Sequence, residues 1–192
     1  MRDRKLLNSE LGRISAEEYA AGTPSGLVVV LDNVRSAHNV GSVFRTADAF
    51  RMDKVYLCGI CAVPPSAEMH KTALGAEFSV PWEHYDATVD AVRSLHEDGY
   101  TVVAVEQTEN SVSLEEFTLP SQKCAFIFGN EVEGVDQAVV DAADLSLEIP
   151  QWGTKHSLNI SVCAGVVLWH AASQRLLPHK QANREGTLLQ KN

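Results

Sequence analysis

Ile149-Pro-Gln-Trp-Gly-Thr-Lys-His-Ser-Leu-Asn-Ile-Ser-Val-Cys-Ala-Gly-Val-Val-Leu-Trp-His-Ala-Ala172 is a loop that turns into a helix. Pro150 and Gly153 break regular structure at its start. The pattern then predicts a helix entered around His156 to Leu158. That helix is apolar almost all round, through Ile160, Val162, Cys163, Ala164, Val166, Val167, Leu168 and Trp169. A helix without a wet face is buried on several sides, in its own domain, against a second subunit, or in both. Ser157 and Asn159 stand at its mouth, where the first backbone N–H groups of a helix lack helical partners. Taken alone, the pattern is a Ser N-cap beside a satisfied Asn; the rest of the chain points further.

Working outward, apolar runs alternate with helical stripes. Leu27–Leu31 is a continuous β-branched run, the signature of a strand buried on both faces of a parallel sheet. After it, Val40, Val43, Phe44, Ala47 and Phe50 form a core-facing helical stripe, with Asn39 and Gly41 near its start. Further strands are expected at 54–58, 101–105, 124–128 and 145–149, with a brief one at 78–80. Helices are expected at 68–74, at 87–97 with Asp86 as N-cap, and at about 135–142. This is an α/β pattern, a mainly parallel sheet with helices on both faces. Sites in such sheets gather at the carboxyl ends of strands. The loops that qualify are 32–39, 106–110, 129–134 and 150–157, which hold most of the unusual polar residues.

Residues 1–25 form a short helical extension. Leu6, Leu7 and Leu11 share one helix face, and Ser15-Ala-Glu-Glu18 is a capping box for a second helix. The main domain spans 26–178, and a basic tail, expected to be mobile, runs from 179 to 192. No apolar run is long enough to span a bilayer, and the N-terminus leads into no signal-like segment. A cytosolic protein without membrane contact is expected. Cys58-Gly-Ile-Cys61 is a lone C-x-x-C, better read as a strand end than as a metal or redox site. The seven histidines are dispersed, and no metal spacing is present.

The net charge of -9 argues against indiscriminate adhesion to nucleic acid. Its distribution says more. Residues 1–13 and 175–192 hold eight of the sixteen Lys and Arg residues. An acidic body with basic ends suits a protein that grips a polyanion with its termini. There is no G-x-G-x-x-G after the first strand and no G-x-x-x-x-G-K-[ST], so ordinary dinucleotide or triphosphate binding loses support. No G-x-S-x-G elbow is present for serine hydrolysis.

What remains is Asn39 with Arg45, Gly129-Asn-Glu131 with Gly134, and Ser157-Leu-Asn159. Here the sequence resembles the SpoU (TrmH-like) branch of the SPOUT RNA methyltransferases. N-V-G-S-V-F-R-T-A-D-A, F-I-F-G-N-E-V-E-G-V and I-P-Q-W-G-T-K-H-S-L-N-I-S-V-C-A-G resemble its three motifs, in order, over roughly residues 26–174. The resemblance implies methyl transfer from S-adenosyl-L-methionine to a ribose 2′-hydroxyl in RNA. It also implies a homodimer and a C-terminal trefoil knot threaded by the Ile149–Ala172 stretch, and it calls for no metal. General rules of chain topology would have rejected a knot.

Matched by position, the cofactor binders are Val105, Glu106, Gln107, Gly129, Ile149 and Leu158. Gly129 is read as the point where a missing side chain lets adenine approach. The resemblance makes Arg45 the catalytic arginine and Asn39, Glu131, Ser157 and Asn159 the rest of the polar set. A guanidinium keeps its proton above about pH 12, so Arg45 is expected to position a phosphate and stabilise a developing alkoxide rather than act as base. Glu131 is expected to order Asn39 or Arg45, and Ser157 and Asn159 to orient the ribose and the loop. The basic ends favour tRNA as substrate, with ribosomal RNA as the second choice. A non-catalytic RNA-binding protein with the same fold is the alternative from another class.

Overall fold

Every residue of Leu27–Asp32 is buried. Successive strand residues face opposite sides, so such a strand needs cover on both faces. Leu27, Val29 and Leu31 join one core, and Val28 and Val30 join another. The computed structural model that shows this describes residues 3–12, 14–120 and 123–177. Its strands are β1 (Leu27–Asp32), β2 (Lys54–Cys58), β3 (Trp82–Tyr85), β4 (Tyr100–Val105), β5 (Val112–Ser113), β6 (Lys123–Phe128) and β7 (Leu145–Glu148). They form one sheet in the order β3-β2-β1-β6-β4-β7-β5, and every pair is parallel.

The helices are α1 (Ala16–Ala21), α2 (Ala37–Ala49), α3 (Ala67–Ala73), α4 (Ala76–Ser79), α5 (Thr88–Glu97), α6 (Gln137–Ala142) and α7 (Ile160–Leu176). α2, α3, α4 and α7 contribute to the core on one face of the sheet, and α5 and α6 to the core on the other. The expected α/β class with helices on both faces is what the chain adopts. Gly41 sets the approach of α2 to α3. A Cβ there would lie 2.3 Å from the Met69 carbonyl oxygen and from Thr72 Oγ1.

Several local expectations are corrected. Residues 6–11 hold only a 3-10 turn at Asn8–Glu10, and Leu6, Leu7 and Leu11 are exposed rather than packed on a shared face. The Ser15 capping box does start α1. Residues 78–80 are not a strand. Ala76–Ser79 is a helical turn, Phe78 is exposed, and the edge strand β3 follows. That short polar strand has one neighbour, so its sequence carries little apolar signal. Asp86 does not cap α5, whose N-cap position is Ala87 with no side-chain bond. The tail at 179–192 and residues Arg2 and Arg13 lie outside the described residues. At the described N-terminal end, Arg4 is matched locally by Glu10, with its Nη2 2.8 Å from Oε1.

α7 starts later than its apolar run suggested, and Asn159 rather than Ser157 caps it. Asn159 Oδ1 accepts from Ser161 N at 2.9 Å and from Ser161 Oγ at 2.7 Å. Ile160, Ala164, Val167, Leu168, Ala171 and Ala172 are buried on the sheet. Val162, Val166 and Trp169 remain 53%, 40% and 53% exposed. Within one chain, then, α7 has one covered face and one bare apolar face.

Asp32 ends β1 as a buried carboxylate tied to two later elements. Its Oδ1 accepts from Thr88 Oγ1 at the start of α5, and its Oδ2 accepts from Asp136 N at 2.9 Å before α6. Replacing Asp32 with Ala leaves the buried Thr88 hydroxyl without its acceptor and removes the tie to the Asp136 amide. Stranding a buried group costs about 1–3 kcal/mol. Asp32→Ala is therefore expected to lower unfolding stability by at least about 1 kcal/mol in urea titration; an unchanged midpoint would remove Asp32 from the fold's supports.

Candidate functional site

In an all-parallel sheet the carboxyl ends of the strands lie along one edge, and the loops that follow converge there. The loops after β4, β6 and β7, together with the first turn of α7, enclose a cleft of about 410 Å³. One wall is Val105, Glu106 and Gln107, the second runs through Phe128 to Glu131, and the third is Leu147 to Ile149. Gln151 and His156 to Ile160 close it over, and Cys163 lies on the α7 side. All six residues assigned to cofactor binding from sequence line this cleft: Val105, Glu106, Gln107, Gly129, Ile149 and Leu158. Glu131, Ser157 and Asn159 line it as well.

Asn39 does not line the cleft but is tied to two residues that do. Its Nδ2 donates to Glu131 Oε1 at 2.8 Å, and its Oδ1 accepts from Asn159 Nδ2 at 3.3 Å. Glu131 also accepts from the backbone N–H groups of Arg35 and Ser36, both at 3.3 Å. Three loops distant in sequence are thereby joined in one chain of hydrogen bonds. Burial opposes the charge on Glu131, yet the bonds from Asn39 and the backbone outweigh it and hold the carboxyl below its ordinary range. It is Asn39 that meets Glu131; Arg45 is exposed on α2, six residues further on, outside the cleft lining. Ser157 is exposed at the cleft with its hydroxyl unengaged among the described residues.

The loop over the cleft is fastened from beneath. Gln107 Nε2 donates to the His156 carbonyl at 2.8 Å. Glu106 is held in turn, its Oε2 accepting from Val135 N at 3.0 Å and its Oε1 from Gln107 N at 2.8 Å. Cys163 is pushed up to about 11 by burial and then by the Glu106 carboxylate, so at neutral pH it is a thiol wall and not a nucleophile.

Gly129 is required by the fold itself. A Cβ there would lie 1.9 Å from the Gly134 carbonyl carbon and 2.1 Å from Val135 N. What approaches Gly129 is the chain's own backbone. Asn130 and Gly134 close a five-residue turn, Asn130 N donating to Gly134 O at 3.0 Å and Gly134 N returning to Asn130 O at 3.2 Å. Asn130 Oδ1 accepts from the amides of Val132 and Glu133, each at 2.9 Å. Gly134 takes φ +72°, and its missing side chain leaves room for the Glu106 carboxylate. This turn is what presents Glu131 to Asn39. Asn130 was not among the residues expected at the site, although an Asn that caps its own turn is a recognisable turn signal. Gln151 and Cys163, also in the cleft lining, carry no motif of their own. Among the described residues no cluster of three His, Cys, Asp or Glu is arranged to hold a metal ion, and no helix is long and apolar enough to cross a membrane.

Residues 26–169 match the SpoU rRNA Methylase family. The 23S rRNA (guanosine-2'-O-)-methyltransferase RlmB of Nitrosomonas europaea is 34% identical over 164 residues, covering 85% of this chain and 61% of that protein. The tRNA (guanosine(18)-2'-O)-methyltransferase of Thermus thermophilus is 32% identical over 178 residues, covering 92% of this chain and 87% of that protein. The structure of an AdoMet-bound rRNA methyltransferase from Sinorhizobium meliloti superposes with a TM-score of 0.73 at 29% identity, over 80% of this chain and 61% of that one. The chain thus spans about three fifths of the length of some relatives and most of the length of others. Motif order, parallel sheet and cleft all agree with the family match: the chain belongs to the SpoU methylase family.

Proposed function

We propose that the protein transfers methyl from S-adenosylmethionine to a ribose 2′-hydroxyl of RNA, working as a homodimer in the cytoplasm. The observation that carries this reading is the cleft itself, where apolar walls and polar groups converge. Val105, Ile149 and Leu158 offer apolar surface for an adenine ring, and the loops around them offer backbone donors and acceptors. A cleft of about 410 Å³ falls within the range of small-ligand sites. The residues present therefore fit the cofactor, and Gly129, Ile149, Leu158 and Val105 to Gln107 are the ones that would hold it. Bound there, S-adenosylmethionine supplies an electrophilic methyl group.

The chain's own polar groups divide the remaining work. Glu131 fixes Asn39, and Asn39 fixes Asn159, so the mouth of α7 is held against the start of α2. Ser157, with a free hydroxyl at the cleft, orients the incoming ribose. Arg45, exposed on α2 and without a hydrogen bond or ion pair to described residues, is available to an RNA phosphate and to the charge growing on the ribose oxygen. Threading of the Ile149–Ala172 stretch as a trefoil knot belongs to the same reading. Transfer RNA is the favoured substrate, supported by the nearly full-length match to a tRNA enzyme; ribosomal RNA is the second reading, supported by the match to an rRNA enzyme.

The direct test of cofactor binding is thermal. S-adenosylhomocysteine at 100 times its Kd is expected to stabilise the native state by about 2.7 kcal/mol through preferential binding, without added metal. No shift in melting temperature at millimolar ligand would remove the methyltransferase reading.

Arg45→Ala is expected to lower single-turnover methyl transfer by about 100- to 1,000-fold, the range for losing one group aimed at developing charge. Cofactor affinity in calorimetry should stay within about threefold, and Arg45→Lys should recover only part of the rate, because an ammonium lacks the planar fork. Wild-type rates from Arg45→Ala would take this residue out of the site.

The bare face of α7 supports the dimer. Val162, Val166 and Trp169 are exposed there, and the Trp169 ring lies 5.6 Å from that of Phe50. Trp169→Glu is expected to give monomers in sedimentation while far-ultraviolet circular dichroism keeps its helical content. A wild type that sediments as a monomer at micromolar concentration would contradict the assembly.

A further inference from the structure

Trp152 is 92% exposed. Tryptophan is on average a highly buried residue, and this one makes no ring contact or hydrogen bond among the described residues. It sits at the tip of the loop whose two ends, Gln151 and His156 to Asn159, line the cleft. Residues 152–155 stand outside that lining and are exposed throughout. Gly153 has no atom within 4 Å of where a Cβ would be, so nothing packs on the tip. The fold gives the indole no structural task.

Charge indicates what covers it. The chain carries a net -9, yet between Ile149 and Asn159 the one formal charge is Lys155. Four cations elsewhere stand in ion pairs: Arg4 with Glu10, Lys54 with Glu83, Lys71 with Glu68 and Arg93 with Asp90. Among the described residues the Lys155 ammonium has no such partner, and neither do the guanidinium groups of Arg35 and Arg45 on the β1–α2 loop and α2. Cations left unmatched beside one cleft, in an otherwise acidic molecule, are complementary to a polyanion. The exposed indole of Trp152, three residues before Lys155 on the same loop, adds a flat face on which a base can stack.

We propose that Trp152 and Lys155 form a contact for single-stranded RNA beside the cleft: the indole stacks on an unpaired base next to the nucleotide being methylated, and the ammonium meets a phosphate. The proposal rests on the methyltransferase reading above. A nucleotide drawn out of its stack toward the cleft bares the face of a neighbouring base. Trp152, five residues from Ser157 along the loop, is placed to cover such a face.

The test uses the full chain with S-adenosylhomocysteine and two RNAs, an unmodified tRNA transcript and a 23S rRNA fragment. Trp152→Ala should weaken binding of the accepted RNA by about 5- to 150-fold, the range that stacking of one base supplies. Trp152→Phe should restore most of that affinity and Trp152→Leu little, since stacking needs an aromatic plane. The slope of log affinity against log salt should stay unchanged in the Trp152 variants and fall by about 0.7 in Lys155→Ala, as for one lost phosphate contact to a single strand. Affinity for S-adenosylhomocysteine should hold in all of them. Wild-type RNA affinity from Trp152→Ala, in an enzyme that methylates the RNA, overturns this contact and leaves the methyltransferase reading standing. Equal rescue by Leu and Phe, or dissociation of the dimer by Trp152→Ala, also overturns it, assigning the indole to plain packing or to the partner subunit. A wild type that binds neither S-adenosylhomocysteine nor RNA removes the methyltransferase reading and this contact together.

Discussion

The carboxylate of Glu131 is the joint on which the site depends. It accepts from the Asn39 side chain and from the amides of Arg35 and Ser36, and Asn39 passes the connection to Asn159 at the head of α7. A carboxylate that is only part-buried would ordinarily prefer water. Here donated hydrogen bonds replace water, and they favour its charged form strongly enough to hold its pKa down despite burial. Because the folded pKa lies below the unfolded one, the associated stabilisation is present above the unfolded carboxyl range and is lost as pH falls through the folded value. At neutral pH the joint is charged and closed.

The sheet makes this joint possible. Every strand pair is parallel, so the ends of β1, β4, β6 and β7 share one edge, and loops separated by some 120 residues in sequence meet there. Glycine sets the close approaches. Gly129 admits the backbone of Gly134 and Val135, and Gly134 admits Glu106. Gln107 then ties the covering loop down through the His156 carbonyl. α7 serves two ends at once: its first residues complete the cleft, while its flanks bury one face on the sheet and leave Val162, Val166 and Trp169 bare.

Much of this was legible in the sequence because the signals are local and strong. Unbroken runs such as Leu27–Leu31 can only be central strands, and the Val40, Val43, Phe44, Ala47 stripe can only face a core. The cleft residues were legible through motifs, and every proposed cofactor contact lines the same cavity. The failures have physical causes. Phe78 looked like strand because its apolar character was taken for burial, yet it is 72% exposed. Leu6, Leu7 and Leu11 have helical spacing but nothing to pack on within the described chain, and spacing alone does not hold a helix in water. Ser157 looked like the cap when this stretch was read alone; Asn159 caps α7 instead, because the helix begins after it and its Oδ1 accepts from Ser161 N. The partner of Gly129 lies five residues away, in a turn that only the folded chain reveals.

In the proposed reaction the cleft binds the cofactor, the Glu131–Asn39–Asn159 chain aligns the site, and Arg45 stabilises charge, all acting together on a ribose oxygen. The most direct measurement is to incubate the protein with radiolabelled S-adenosylmethionine and unmodified tRNA or 23S rRNA fragments, then hydrolyse the RNA with alkali and identify the labelled product by mass. A 2′-O-methyl group blocks cleavage at the following phosphate, so the account predicts label in an alkali-resistant dinucleotide from one position. Label released as a mononucleotide carrying a methylated base would contradict it.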